Sequence, residues 1–272
     1  MTPPQLNHPP TLDPDRCALL GHTGFVGGNL LRQFPFGGTY HSKNIGELAG
    51  RSYDLIVCSA VSAVKWQANK DPESDWRRIQ SLLDVLTRVD ARRFILISTI
   101  DVYPIPVGVT EADDPSGISN HAYGLHRLKL EQFVRSRFPV HHVVRLPGLF
   151  GDGLKKNLIY DLLHSNLLDN IHPDGVFQYY DLSRLWPDLG KTMAASLPLL
   201  NVATEPLLTR EIVSRFFPNS RIGATASGAG RYDFRSRHDT LWNGTNGYLY
   251  SKEDVMTDLG RFLARQPSQQ AL

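Results

Sequence analysis

Cysteine is scarce in this 272-residue chain: only Cys17 and Cys58 occur, each inside an apolar run. Two thiols in such settings argue against a disulfide scaffold or a metal centre and predict buried, reduced side chains. Net charge is also nearly absent, with 29 basic against 27 acidic residues, a formal +2. That balance lacks the concentrated basic face that holds nucleic acid, so no nucleic-acid partner is expected. The short basic pairs Arg77-Arg78, Arg92-Arg93 and Lys155-Lys156 read as solvated helix faces and loop ends. No apolar run approaches the ~18 residues of a membrane span, and the polar start has no apolar signal core. A soluble, cytoplasmic protein without membrane contact is the expectation.

What is present is enough apolar side chain, 41% of residues, to fill a core. Residues 1–15 hold five prolines and read as a flexible tail. From Arg16 the pattern changes. Cys17-Ala18-Leu19-Leu20 is a short apolar run, followed by glycines and then by helical spacing from Phe25 to Phe34. Further strands are expected at Thr39–Ser42, Leu55–Ala60, Phe94–Ser98 and His142–Leu146, with helices over Ser74–Val89 and Tyr123–Phe138 between them. Continuously apolar strands alternating with helices predict an α/β fold, a Rossmann-type doubly wound parallel sheet covered on both faces. The nucleotide-binding domain is expected over 16–147, completed by parts of 176–204. The remaining 148–175 and 205–272 are expected to form a small C-terminal substrate-binding lobe. There a helix is expected at Asn157–Leu167, another ends over Met193–Leu200, and Phe217–Tyr248 reads mainly as loops. Ser251 is placed to cap a last helix whose first turn carries Glu253 and Asp254.

The glycines carry the first functional reading. Gly21-His22-Thr23-Gly24-Phe25-Val26-Gly27 lies between a strand and a helix. A helix N-terminus offers backbone N–H groups and a favourable dipole to a phosphate, and glycine lets the backbone come close. With both flanking elements in place, the loop predicts a dinucleotide site formed by Gly21, Thr23, Gly24, Phe25, Val26 and Gly27. A site selective for NAD usually carries a carboxylate after the second strand, to hold the ribose 2′-hydroxyl. Here that stretch reads His41-Ser42-Lys43-Asn44. Ser42 and Lys43 suit a 2′-phosphate better, so NADP is favoured and NAD stays open.

The three-and-three glycine spacing resembles the loop of the short-chain dehydrogenases/reductases, in their extended or atypical branch of nucleotide-sugar epimerases, dehydratases and reductases. Four further segments in chain order are similar to that family: Cys58-Ser59-Ala60, Ser98-Thr99-Ile100-Asp101-Val102-Tyr103, His121-Ala122-Tyr123-Gly124 and Arg145-Leu146-Pro147-Gly148-Leu149-Phe150-Gly151. Together they span about residues 16–157. The tight spacing before Leu55 resembles the dTDP-4-dehydrorhamnose reductases. The resemblance implies cofactor contacts from Ser59, Ala60 and Pro147. It also implies that Tyr123 is the general acid/base, that Thr99 orients the substrate oxygen and that Asp101 assists proton transfer.

The sequence departs from the family at one telling place. The family pairs its tyrosine with a lysine four residues on, on the same helix face, because a phenol of pKa ~10 needs a nearby cation to ionise near neutrality. Position 127 is arginine instead, and Lys129 has the wrong spacing. Arg127 keeps the charge and can donate to ribose hydroxyls, but its planar fork is not a compact ammonium. The asparagine that the family often carries one helix earlier is also missing, Ile79 and Gln80 standing near that place, and Gly148 replaces another after Arg145.

Three readings follow. The first is an enzyme, an NAD(P)-dependent reductase, epimerase or dehydratase acting on a sugar or nucleotide-sugar carbonyl or hydroxyl. The second is a non-catalytic NAD(P)-sensing protein, and the third a non-redox lyase on the same fold. In the C-terminal part Asn157, Gln178, Arg231 and Arg235 are candidates to meet such a substrate, with Arg184 and Arg237 beside them. The competing reading of the Gly230–His238 cluster is a solvated loop whose arginines pair with Asp233 and Asp239. His22, His121 and His126 form no pattern of metal ligands and read as surface or supporting residues. Family members commonly pair through the helix that carries the tyrosine, so a homodimer is the assembly the resemblance allows.

Overall fold

The inner strands of the main sheet bury side chains on two faces at once, and that property builds the frame. The computed structural model describes residues 11–266. In chain order its first elements are β1 (Cys17–Leu20), α1 (Phe25–Gln33), β2 (Gly38–Tyr40), β3 (Ser52–Cys58), α2 (Lys65–Lys70) and α3 (Pro72–Leu86). Then come β4 (Asp90–Thr99), α4 (Ala122–Arg137), β5 (His141–Leu146), β6 (Gly148–Phe150), α5 (Leu158–Leu163), β7 (Val176–Phe177) and β8 (Tyr179–Asp181). The chain continues through α6 (Leu185–Ala194), β9 (Leu199–Asn201), β10 (Leu207–Leu208), α7 (Thr209–Phe216) and α8 (Lys252–Ala264).

Six strands form one parallel sheet in the order β2-β1-β3-β4-β5-β9. Alternate residues feed two cores. Cys17, Leu19, Leu55, Val57, Ile95 and Val144 pack with Leu30 of α1 and with Leu185 and Leu189 of α6. Ala18, Leu20, Ile56, Cys58, Phe94, Leu96 and Val143 pack with α3 and α4 on the other face. This is why the strands read as unbroken apolar runs. Burial pushes both thiols, Cys17 and Cys58, up to about 11, so they stay protonated and inert.

The sheet is the expected doubly wound one, and in chain order only one strand, β2, comes between the paired neighbours β1 and β3. The chain leaves β1 for β2 on one side and returns to β3 on the other, which places the topological switch between β1 and β3. Ligands of such sheets sit outside the carboxyl ends of the strands at that point.

The C-terminal part has its own apolar centre, in which Phe150, Ile159, Tyr179, Ile212, Leu259 and Phe262 meet. The small pairs β6–β8 and β7–β10 lie in it. Ser251 caps α8 as expected, its Oγ accepting from the Asp254 N–H at 3.2 Å.

Several boundaries differ from the sequence expectation. The helix α3 begins at Pro72, because Asp71 caps it (Oδ1 to Ser74 N, 3.1 Å) and proline suits a first helical position. The short helix α2 and the three-residue edge strand β9 were not anticipated, and β9 falls inside 176–204. The helix α5 stops at Leu163, with Ser165 and Leu167 in the left-handed region just beyond. Residues 1–10 of the expected tail lie outside the described residues. Within 11–15, Leu12 packs on the core and Asp13 caps the turn Pro14–Arg16. Among the described residues no helix is long and apolar enough to cross a membrane.

Two buried charges bind the frame together. Arg145 on β5 is 1% exposed and grips Glu131 of α4 through Nε (3.0 Å) and Nη2 (2.6 Å). Its Nη1 donates to the Tyr103 hydroxyl at 2.7 Å, and Ser98 Oγ donates to Glu131 at 2.6 Å.

His142, next to that pair on β5, is buried with Nδ1 2.6 Å from the Leu197 carbonyl. Burial pushes its imidazole down to about 4. Between that value and the ~6.5 of an unfolded histidine, the unfolded chain takes a proton that the folded chain refuses. Stability therefore falls as the pH drops through about 6.5 and stops falling, for this group, below about 4. The expected loss is up to about 3 kcal/mol, read as a shift of urea midpoint between neutral and acidic buffer. His142→Asn, which keeps a side-chain donor for Leu197, is expected to flatten that slope. An equally steep slope in the variant would contradict the assignment.

Candidate active site

The glycine loop is shaped by close approach. Gly21 has φ +85°, and a Cβ there would stand 2.6 Å from the Ser59 carbonyl oxygen at the end of β3. A Cβ on Gly27 would stand 2.1 Å from the Gly21 oxygen. Only glycine lets loop, helix and β3 meet this way. Gly24 is the N-cap of α1 and brings no side-chain hydrogen bond, and the first turn holds no acid. The first bond into the helix runs from Gly28 N to Gly24 O (2.8 Å), so the N–H groups of Phe25, Val26 and Gly27 precede the ladder. A cradle that a Cβ would fill, below a helix start without an acid, fits the pyrophosphate of a dinucleotide.

The other residues expected at the cofactor follow β1, β2, β3 and β5. Thr23 is exposed in the glycine loop. Ser59 donates Oγ to the Leu20 carbonyl (3.0 Å), and Ala60 follows at the carboxyl end of β3. Ser42 and Lys43 are exposed just past β2, on a turn that Asn44 braces by accepting from the His41 N–H at 2.7 Å. The turn from His41 to Ile45 carries no carboxylate. Pro147 follows β5, on the far side of β4 from β3.

The second half of the site gathers at the end of β4 and the start of α4. Thr99 ends β4, and its Oγ1 accepts from the Asp101 N–H at 3.2 Å. His121 caps α4 through Nδ1, which accepts from Gly124 N at 3.0 Å. Gly124 is required there, since a Cβ would lie 2.1 Å from the Asp101 oxygen. This contact seats Tyr123, one residue earlier, against the β4 loop. Asn69 of α2 holds the Tyr123 N–H at 3.0 Å.

Tyr123 is 7% exposed. Burial raises its phenol above the ordinary value, and the charge of Asp101 adds to this. The Arg127 cation, and then the nearby Thr99 side chain, oppose the rise without cancelling it. The phenol is thus a protonated donor at neutral pH.

Arg127 has partners that sequence spacing did not suggest. Its guanidinium carbon lies 4.0 Å over the Tyr123 ring. Both Nη atoms grip Asp75 (2.5 and 2.9 Å), Nη2 also donates to the Ser62 carbonyl at 2.6 Å, and Nη1 to the Tyr123 carbonyl at 3.2 Å. Four of its five donors are thereby taken by protein acceptors. Through these contacts Arg127 clamps the loop after β3 to α3. His126 joins the same cluster through Nδ1, 2.8 Å from Asp75. Burial alone would raise the Asp75 carboxyl, but the hydrogen bonds from Arg127 and His126 outweigh it and hold it low.

The expected substrate residues divide. The Gln178 amide is buried and saturated, donating to the carbonyls of Thr204 (2.6 Å) and Phe234 (2.9 Å) and accepting from Phe234 N. Asn157 caps α5 and donates to the Leu149 carbonyl at 2.7 Å. In both cases the polar atoms stitch the lobe together. Arg235 pairs with Asp233 (3.1 Å) and donates to Asn246, as the solvated-loop reading of that cluster proposed. Arg184 is held by Asp258. Arg231 remains exposed, with only a 4.0 Å contact to Asp233.

Sequence reasoning passed over Lys65, Asn69, Asp75 and Tyr232. Lys65 Nζ donates to Asp101 Oδ1 at 2.9 Å, and the Tyr232 hydroxyl donates to the same oxygen at 2.9 Å. Asp75 had one legible signal, an acid on the apolar face of a helix. The other three had none, because their partners are distant in sequence.

The fold is shared with solved structures of nucleotide-sugar reductases and dehydratases. The chain is similar to dTDP-4-dehydrorhamnose reductase from Bacillus anthracis in complex with NADP, at 19% identity and TM-score 0.71, over 94% of this chain and all of that one (100%). It is similar to the Clostridium acetobutylicum dTDP-4-dehydrorhamnose reductase at 14% identity and TM-score 0.67, over 91% and 98% of the two chains. A dTDP-glucose 4,6-dehydratase from Streptomyces venezuelae with NAD bound gives 14% identity and TM-score 0.68, over 92% and 97%. No protein-family model and no curated protein matches the sequence.

Proposed function

We propose that this chain is an NADP-dependent enzyme that reduces the carbonyl of a nucleotide-linked keto sugar. The observation that carries the reading is the placing of Tyr123. Its phenol is buried, protonated and beside Thr99, at the carboxyl ends of the strands where the glycine loop also opens. Bound NADPH would supply the hydride. The glycine loop and the first turn of α1 would hold its pyrophosphate, and Ser42 and Lys43 its 2′-phosphate. Thr99 would orient the carbonyl oxygen, and Tyr123 would give that oxygen its proton. The solved relatives that bind NADP or NAD and carry reductase or dehydratase names support the reading.

A second reading draws on the Arg127–Asp75 pair. A guanidinium already neutralised by a carboxylate does less to ionise a phenol than a free ammonium would. A protein that binds the dinucleotide without turning it over is therefore the competing account.

The two separate in one experiment. NADPH and NADH are titrated by fluorescence, and NADPH consumption is followed with dTDP-4-dehydrorhamnose and other nucleotide-linked keto sugars. Tighter binding of NADPH together with turnover is the expected result. Binding without consumption favours the second reading, and no binding of either cofactor overturns both. Gly27→Ala, which places a Cβ against the Gly21 oxygen, is expected to weaken NADPH at least about tenfold, equivalent to ~1.4 kcal/mol. Unchanged affinity in that variant would remove the loop from the site.

A further inference from the structure

Arg127 is paired with Asp75 over the Tyr123 ring, and a second cation, Lys65, stands beside Asp101. Lys65 opens α2, directly after the loop that follows β3. Its Nζ reaches across to Asp101 Oδ1 at 2.9 Å and lies 3.3 Å from the Tyr232 hydroxyl. Tyr232 comes from the C-terminal part of the chain and donates to the same Oδ1 at 2.9 Å. One oxygen of the Asp101 carboxylate is thus held from both sides of the cleft. The other, Oδ2, meets no protein donor among the described residues. Asp101 keeps 17% of its side chain exposed, and Lys65 keeps 39%. A carboxylate pinned through one oxygen presents the other in a fixed direction.

We propose that Lys65 and Tyr232 are positioning residues that fix Asp101 as the acceptor for a substrate hydroxyl beside the reacting carbonyl. This rests on the reading of the chain as a keto-sugar reductase and extends it to the substrate class: a sugar bearing a free hydroxyl next to the carbonyl. The surroundings agree. The groups that face Asp101 are Lys65, Tyr232, Tyr123 and His121, with Arg127 behind the Tyr123 ring. Burial and the Asp101 charge raise the Tyr232 phenol, so it remains a donor. Burial, and then the neighbouring Lys65 cation, lower the His121 imidazole, so it is neutral and offers Asp101 no competing charge. Removing the lysine would leave a carboxylate beside two phenols with no free cation. Tyr232 also ties the C-terminal part to the β4 loop, so the direction of Asp101 depends on how that part sits over the cleft.

The test uses the full chain with NADPH and dTDP-4-dehydrorhamnose, comparing wild type with Lys65→Met, Lys65→Arg and Tyr232→Phe. For Lys65→Met, NADPH affinity is expected to stay within about threefold while kcat/KM falls on the order of 100-fold. Most of that fall should appear as a raised KM for the keto sugar, as loss of an aimed hydroxyl acceptor requires. Lys65→Arg should restore kcat/KM, and Tyr232→Phe should fall between. A Lys65→Met protein with wild-type kcat/KM overturns the inference alone. So does one whose turnover and NADPH affinity fall together, or a Lys65→Arg protein that recovers nothing. A wild-type protein that binds no NADPH, or binds it and reduces no keto sugar, overturns the functional reading and the inference together.

Discussion

Tyr123→Phe is expected to lower turnover of a nucleotide-linked keto sugar by about 10²–10⁴-fold, the range for loss of a positioned general acid, while NADPH affinity stays close to wild type. The reason lies in what the substitution leaves alone. The ring stays beneath Arg127, whose guanidinium packs on its face at 4.0 Å. The Asn69 contact is made by the Tyr123 backbone and is independent of the hydroxyl. Only the proton donor disappears. The glycine cradle, built by Gly21 and Gly27 against β3, has no part in that loss. Binding and turnover measured on the same preparation therefore separate the two roles. Turnover equal to wild type would remove Tyr123 from the chemistry and leave the donor to be sought in Asp101 or Tyr232.

The largest stability loss is expected from Glu131→Ala. Arg145 has no route to water, and its charge is met by the bidentate contact with Glu131. Taking away one partner of a buried pair leaves the other charge uncompensated, at about 3–5 kcal/mol. That is a large fraction of the ~5–15 kcal/mol that holds a typical domain folded. A fall in Tm on the order of 10 °C is expected by calorimetry. Ser98 Oγ also loses its acceptor, and Ser98 precedes Thr99, so the end of β4 should loosen with the frame. Simultaneous replacement of Arg145 and Glu131 by apolar residues should recover part of the loss, because the unpaired charge is then gone. A Glu131→Ala protein as stable as wild type would mean that water reaches Arg145.

Glu131 and Arg145 also illustrate where sequence reading stops. Arg145 stood in a segment recognised by resemblance, yet nothing in its neighbourhood announced a charge without exposure. Its partner is 14 residues away, on the other side of a helix-to-strand connection. The Asp75–Arg127 pair spans 52 residues, and Lys65 and Tyr232 are 167 apart. Pairings of this kind depend on which helices pack side by side and on which loop folds over the cleft. Apolar periodicity records neither. Gln178 and Asn157 teach the same point from the other side. As polar side chains in the lobe they read as ligands, and only the folded chain shows that their amides also donate to backbone carbonyls.

Local patterning alone predicted the doubly wound parallel sheet and the glycine cradle between β1 and α1, and the family resemblance singled out Thr99, Asp101 and Tyr123. Continuous apolar strands, a strand-glycine-helix junction and a Tyr-Gly pair opening a helix are each contained in a few consecutive residues. The tertiary structure alone decided that Arg127 serves Asp75 and the loop after β3, and that Lys65 and Tyr232 converge on Asp101. It also decided that Arg145 is buried against Glu131. A charged side chain is assigned its partner by the packing that removes it from water, and that packing exists only once the sheet and both helical layers have formed.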